Sequence, residues 1–226
     1  MFRFKQFNVD QTGCAMKINT DGVLLGALAE ADQPKTILDI GTGTGVIALM
    51  LAQRFANANI DAVEIDATAS ATAGRNFAGS PFAVRLNLYA DSFESYFNKH
   101  PGSKYDLIVS NPPFYINSLE SPGVKKSLAK HTDADFFETL VASTRKHLSD
   151  TGEFWLILPL QTAQLVKVMA VDNGLNLKQA INVLSYPDSD PHREILIFTL
   201  TKEKKMDEWF VIYQSQKYIR SSMKGR

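Results

Sequence analysis

Asn111-Pro112-Pro113-Phe114 places an amide, two prolines and a flat ring directly behind an apolar run, Tyr105 to Ser110. The prolines remove two backbone donors, fix two φ angles and push the residue before each into extended backbone, so the carbonyls of a stiff turn stay free to accept. The Asn111 side chain both donates and accepts, and Phe114 offers a face on which another ring can stack. These residues suit a working surface, and equally a rigid turn that merely ends a strand. A second constellation, Asp39-Ile40-Gly41-Thr42-Gly43-Thr44-Gly45, has glycine at every second position, which lets backbone pass close under a ligand. The dinucleotide pattern G-x-G-x-x-G needs glycine at position 46, where Val46 stands, and no Lys-Ser/Thr pair follows for a phosphate loop.

The elements that must position these residues are legible as alternating apolar runs. Strands are predicted at Thr36 to Ile40, Ile60 to Ile65, Ala83 to Tyr89, Tyr105 to Ser110 and Glu153 to Leu158. Helices are predicted between them at Val46 to Phe55, Ala67 to Phe77 and Asp135 to Leu148, and a further helix at Gln161 to Val171. Two final strands, near Leu177 to Leu184 and Glu194 to Leu200, are joined by a loop and so form an antiparallel edge hairpin. Ahead of this plan lie a strand-like ribbon over residues 2–18 and an apolar helix behind Thr20-Asp21-Gly22, with a capping side chain and a negative charge in its first turn. The expectation is a doubly wound α/β fold: a mainly parallel seven-stranded sheet with helices on both faces. With 226 residues and 45% hydrophobic content it forms a single domain over 1–226, made of ribbon and helix (1–33), core (34–205) and a basic C-terminal extension (206–226).

On this plan the glycine turn, Glu64-Ile65-Asp66, Asp91 and Asn111 all follow strands at the same edge of the sheet, where ligands of such folds bind. A carboxylate at Glu64 accepts from both hydroxyls of an unphosphorylated ribose and repels a 2′-phosphate. Composition removes other chemistries. A single cysteine, Cys14, excludes a thiolate-rich zinc site, and His100, His131, His147 and His192 lack metal-ligand spacing, so no metal is expected. No run reaches the apolar length of a membrane span and the start lacks a secretion signal, so a cytoplasmic protein without membrane contact is expected. Net charge is zero, which argues against coating nucleic acid by bulk electrostatics, but cations cluster. Lys125, Lys126 and Lys130 stand without acids just after the Asn-Pro-Pro-Phe turn and are candidate RNA contacts. Residues Lys217 to Arg226 form a second basic run, and Arg3 and Lys5 a third.

The pattern D-x-G-x-G-x-G at Asp39, Gly41, Gly43 and Gly45 resembles the S-adenosylmethionine site of Rossmann-like class I methyltransferases. That resemblance implies Glu64 on the ribose and Asp91 against the amino group of the cofactor's adenine. Asn111-Pro112-Pro113-Phe114 resembles the signature of methyltransferases acting on planar exocyclic nitrogens, with Asn111 and Pro112 as hydrogen-bond acceptors and Phe114 stacked on the base. A base cannot be methylated there while paired and stacked, so it must be flipped or unpaired. Lys5-Gln6-Phe7, Cys14-Ala15-Met16-Lys17 and Thr20-Asp21-Gly22-Val23-Leu24-Leu25-Gly26-Ala27 resemble the bacterial tRNA1(Val) N6-adenine methyltransferases. This implies a tRNA substrate, modified at the adenosine 3′ of the anticodon (position 37), and Lys17, Thr20 and Asp21 as a lid on the cofactor pocket. The family carries Gly where Asn19 stands; Asn also tolerates left-handed backbone. A monomer is expected. Guanine-N2 methyltransferases of ribosomal RNA share the four-residue signature, protein glutamine methyltransferases present an amide nitrogen to Asn-Pro-Pro, and a noncatalytic RNA-binding protein could keep the fold. These alternatives stay open at the level of sequence.

Overall fold

The computed structural model describes residues 1–112, 126–202 and 206–214, with 126–133 described by backbone alone. A short antiparallel ribbon comes first, β1 (Phe2–Arg3) with β2 (Asn8–Val9). The alternating pattern follows as α1 (Thr20–Leu28), β3 (Thr36–Ile40), α2 (Val46–Arg54), β4 (Asn59–Val63), α3 (Ala67–Ala78), β5 (Leu86–Tyr89), α4 (Phe93–Lys99) and β6 (Tyr105–Ser110). The rest is α5 (Lys126–His147), β7 (Leu148–Leu158), α6 (Leu160–Asp172), β8 (Asn176–Leu184), β9 (Pro191–Thr199) and β10 (Met206–Val211).

Eight strands form one sheet in the order β10-β8-β9-β7-β6-β3-β4-β5. Neighbours are parallel except at β9, which runs antiparallel to both β7 and β8. The chain winds outward from β3 through β4 to β5, then returns on the other side of β3 as β6. At such a reversal of strand order a crevice opens outside the carboxyl ends of the strands. Gly41 follows β3 and Asn111 follows β6, which brings the glycine turn and Asn111-Pro112 to its two sides.

Alternation along the strands divides the core. Ile37, Val109, Ile157 and Ile197 face Leu25 of α1 and Leu49 of α2, while Leu38, Ile108, Leu156 and Phe198 face Phe97, Leu140 and Val166 of α4, α5 and α6. Helices cover both faces, so these strands read as near-continuous apolar runs. The ribbon is docked on the first face: Phe7 and Val9 are buried, Phe4 stacks on Phe7 at 4.5 Å, and Phe7 meets Phe82 edge-on. Phe82 lies just before β5, at the amino end of that strand, and neither Arg3 nor Lys5 lines the cavity described below.

Four elements differ from expectation; one is β7, which starts at Leu148, where the helix was expected to end, and not at Glu153. The predicted strand from Ala83 opens as a 3-10 turn at Ala83–Arg85 before β5. Helix α5 starts at Lys126, nine residues ahead of Asp135, through a stretch too polar to show an apolar period. The sheet has eight strands, because Met206–Val211 at the head of the extension pairs in parallel with β8. Asp207 and Glu208 interrupt the strand pattern there, but Trp209 to Tyr213 is an unbroken run of aromatic and β-branched residues, a strand signal in its own right.

Candidate active site

The glycine turn is held from beneath. Gly41, Gly43 and Gly45 all have positive φ, 73°, 57° and 82°. A Cβ on Gly41 or Gly43 would meet nothing within 4 Å, whereas one on Gly45 would overlap the Phe77 ring of α3. The first two glycines therefore leave bare backbone open to a ligand, and the third admits a neighbouring helix. Asp39 was expected to bind cofactor; it lies fully buried under the turn and does not line the crevice. Its Oδ2 accepts from Thr42 Oγ1 at 2.6 Å and from the Ala48 amide at 3.2 Å, tying the turn to the start of α2. Burial pushes its carboxyl up to about 7, against the pull of the Thr42 hydrogen bond. Asn76 of α3 adds a second tie: its Nδ2 donates to Thr44 O at 2.8 Å and to Asp10 O at 2.9 Å, and its Oδ1 accepts from the Asp10 amide at 2.8 Å.

The two acids behind β4 divide their labour. Asp66 caps α3 by accepting from the Ala69 amide at 2.7 Å. Glu64 accepts from the Gly43 amide at 2.8 Å through one oxygen and from the Asp66 amide at 2.8 Å through the other. Each carboxylate oxygen keeps a further lone pair, which a hydroxyl donor can use. Asp91 accepts from the Ser92 amide at 2.9 Å, Ser95 Oγ at 2.9 Å and Lys99 Nζ at 2.5 Å, and the Lys99 hydrogen bond, then that from Ser95, hold its carboxyl below the usual range. The cap of α4 is Ser92, so Asp91 is not consumed as one.

These groups line a cavity of about 340 Å³, together with Asn111 and Pro112 on its other wall. Ser110 Oγ donates to Ile40 O at 2.9 Å and fixes the end of β6 against β3. Asn111 Oδ1 is buried and, among the described residues, has no hydrogen-bond partner. A Cβ on Gly22 would stand 3.5 Å from Asn111 Nδ2, so the first turn of α1 backs this amide. Pro113, Phe114 and Lys125 lie outside the described residues, and Lys126 and Lys130 fall in the first turns of α5, where only the backbone is described.

The residues expected to form a lid stand beside those that line the cavity. Lys17 and Thr20 are exposed and, like Asp21, do not line the cavity; Cys14, Ala15 and Met16 do. Asp21 is instead buried in an ion pair with Arg193 of β9, whose Nε donates to Oδ2 at 2.8 Å. Asn19 stands where the family carries Gly but is not in left-handed backbone: it is extended at φ −127° and caps α1 by accepting from the Gly22 amide at 2.9 Å. Ile65, Phe93 and Phe136 also line the cavity and were not singled out from the sequence; aromatic residues flanking a predicted cofactor edge are the signal that marks the latter two. Among the described residues no group of three or more His, Cys, Asp or Glu is placed to hold a metal, and no helix is long and apolar enough to cross a membrane.

The geometry fits a nucleoside held beside a polar acceptor, and comparison with known proteins gives it a family. Residues 18–170 match the family model described as Methyltransferase small domain. A protein of Pedobacter heparinus named tRNA1(Val) (adenine(37)-N6)-methyltransferase is 52% identical over 195 residues, covering 86% of this chain and 82% of that one. A Bacteroides fragilis protein of the same name is 41% identical over 207 residues, covering 92% and 87%. Among solved structures, a predicted O-methyltransferase of Agrobacterium tumefaciens superposes with a TM-score of 0.64 at 15% identity, covering 92% of this chain and 97% of that one, a likeness of fold. With a matched domain spanning most of the core and relatives alike over most of both lengths, the chain belongs to the Methyltransferase small domain family, in the branch of the tRNA1(Val) (adenine(37)-N6)-methyltransferases.

Proposed function

We propose that this chain methylates the exocyclic N6 of adenosine 37, 3′ of the anticodon in tRNA1(Val), using S-adenosylmethionine. The observation that carries this reading is the buried Asn111 Oδ1, without a hydrogen-bond partner among the described residues, on a cavity whose opposite wall carries bare glycine backbone and Glu64. That wall suits the cofactor: Gly41 and Gly43 leave room for close approach, Glu64 would accept from the ribose hydroxyls, and Asp91 would accept from the adenine amino group. When bound, the cofactor supplies a methyl group already activated on a sulfonium.

The protein's task is then placement and polarity. An exocyclic amino nitrogen delocalises its lone pair into the ring and is a weak nucleophile. Asn111 Oδ1 and the Pro112 carbonyl would each accept one of its two hydrogens, which favours a pyramidal nitrogen with a localised lone pair and matches the positive charge that grows there. The proline rings that follow Asn111 fix their own φ angles, which limits how far those acceptors would follow the substrate's motion. The hydrogen bond from Ser110 to Ile40 keeps the turn in register with the glycine wall.

Hypomodified tRNA and methyl-labelled cofactor test the assignment. Label is expected as N6-methyladenosine in the anticodon loop. Label confined to guanine of ribosomal RNA, or to a release factor, would overturn it.

A further inference from the structure

We propose that Tyr186 and Tyr213 form a stacking platform for an unpaired base of the RNA substrate, beside the cavity that takes the methylated one. This rests on the RNA reading above. Their rings pack with centroids 5.4 Å apart at 35°, and Tyr213 remains 45% exposed. Both sit at the carboxyl edge of the sheet: Tyr186 just past the end of β8, Tyr213 just past the end of β10. The pair is a built feature. Tyr186 lies in a turn closed by Ser189, whose Oγ accepts from the Tyr186 amide at 3.0 Å, and the amides of Ile212 and Tyr213 donate to Leu184 O and Ser185 O at 2.9 Å each.

Because β6, β8 and β10 are parallel, Asn111 and this pair open to the same side. Three strand spacings separate β6 from β8, which is about 14 Å across the sheet. A loop that presents one base to the cavity therefore lays its neighbours toward the pair. Charge decides which part of the RNA is met there. Asp188 and Asp190 are exposed in the same turn and repel phosphates, so the aromatic rings would take base faces. The compensating cations come next in sequence: residues 215–226 carry Lys217, Arg220, Lys224 and Arg226 with no acid, and they follow directly on the strand that ends at this edge. Aromatic residues followed in sequence by a basic run are the composition of a single-strand binder, in which every base offers a face and sequence matters little.

Steady-state kinetics on hypomodified tRNA test it. Tyr186→Ala and Tyr213→Ala should each raise KM for tRNA about tenfold, with kcat, cofactor Kd and the salt dependence of KM unchanged, because no phosphate contact is lost. Tyr213→Phe should stay within about twofold of the parent, since the ring and not the hydroxyl does the binding. An abasic nucleotide two or three positions from the target, the reach that about 14 Å requires, should raise the parent's KM and erase the difference between parent and alanine variants. Unchanged KM in alanine variants that fold and bind cofactor would overturn the proposal. So would a shift in sedimentation with KM unchanged, which would make this face a contact between two copies. A parent enzyme that labels no RNA would instead remove the reading beneath it.

Discussion

On the β3 to β5 side of the crevice the acids beside the cavity are already held, Glu64 by the amides of Gly43 and Asp66, Asp91 by Ser92, Ser95 and Lys99. On the β6 side, Asn111 Oδ1 is buried with no partner among the described residues. A bare buried acceptor costs about 1–3 kcal/mol, and a donor brought by a ligand recovers it. The acids that line the first wall have their partners before anything binds; on the reading proposed above, the second is completed by its substrate. On that reading one wall serves a cofactor common to many enzymes while the other selects the nitrogen that reacts.

If that contrast is right, the two walls fail differently when cut. Asn111→Ala should lower turnover by about 10²–10³-fold while leaving cofactor Kd, measured by calorimetry, nearly as in the parent. Near-normal turnover would break the comparison at its centre. Glu64→Ala should do the reverse, weakening cofactor binding about 10–100-fold, since hydrogen bonds to a charged group are worth about 1.5–3 kcal/mol. It should also free the Gly43 amide, which hydrogen exchange can read. Arg193→Met leaves Asp21 without the guanidinium that fixes the first turn of α1 behind Asn111; a several-fold loss of turnover with unchanged cofactor Kd is expected, and Asp21→Asn in the same chain should restore part of it.

Asp39→Asn sharpens the contrast from below. The amide can accept from Thr42 and Ala48 through its oxygen, so cofactor binding should change by no more than a few-fold. In the parent, between pH 3.8 and about 7, the folded chain keeps a proton on Asp39 that the unfolded chain has released, so stability falls as pH rises through that window. The variant should lack this decline in thermal melts; an unchanged pH profile would mean that Asp39 does not titrate as its burial dictates.

The sheet, its winding and the two walls were legible because they are written in local pattern. Asp39 and Glu64 show where that legibility stops. Both are acids at the end of a strand beside the glycine turn, yet Asp39 is inside β3, where alternation turns it into the α2 face, and Glu64 is one residue past β4, where it is free to turn toward the cavity. Asp39 pairs with Ala62 inside the ladder, whereas Glu64 falls two positions further on, past the last pair Ile40 and Val63, and leaving the ladder is what separates a group that holds the turn from one that can meet a ligand. Asp21 was out of reach for another reason: its partner, Arg193, lies 172 residues away, and no spacing in the sequence announces it. The strand β10 was hidden by two acids at its head, although the five residues after them are of strand type.

Asn76 of α3 binds two other parts of the molecule with one side chain: the glycine turn at Thr44 and the N-terminal ribbon at Asp10. The ribbon is therefore not a separable tail but a brace on the far side of the cofactor turn. Amide protons of the ribbon should exchange more slowly once cofactor fills the crevice, although no ribbon residue before Cys14 lines it. Occupancy at one end of the sheet would then be readable in the chain's first residues, whose protection would report how firmly the turn is shut.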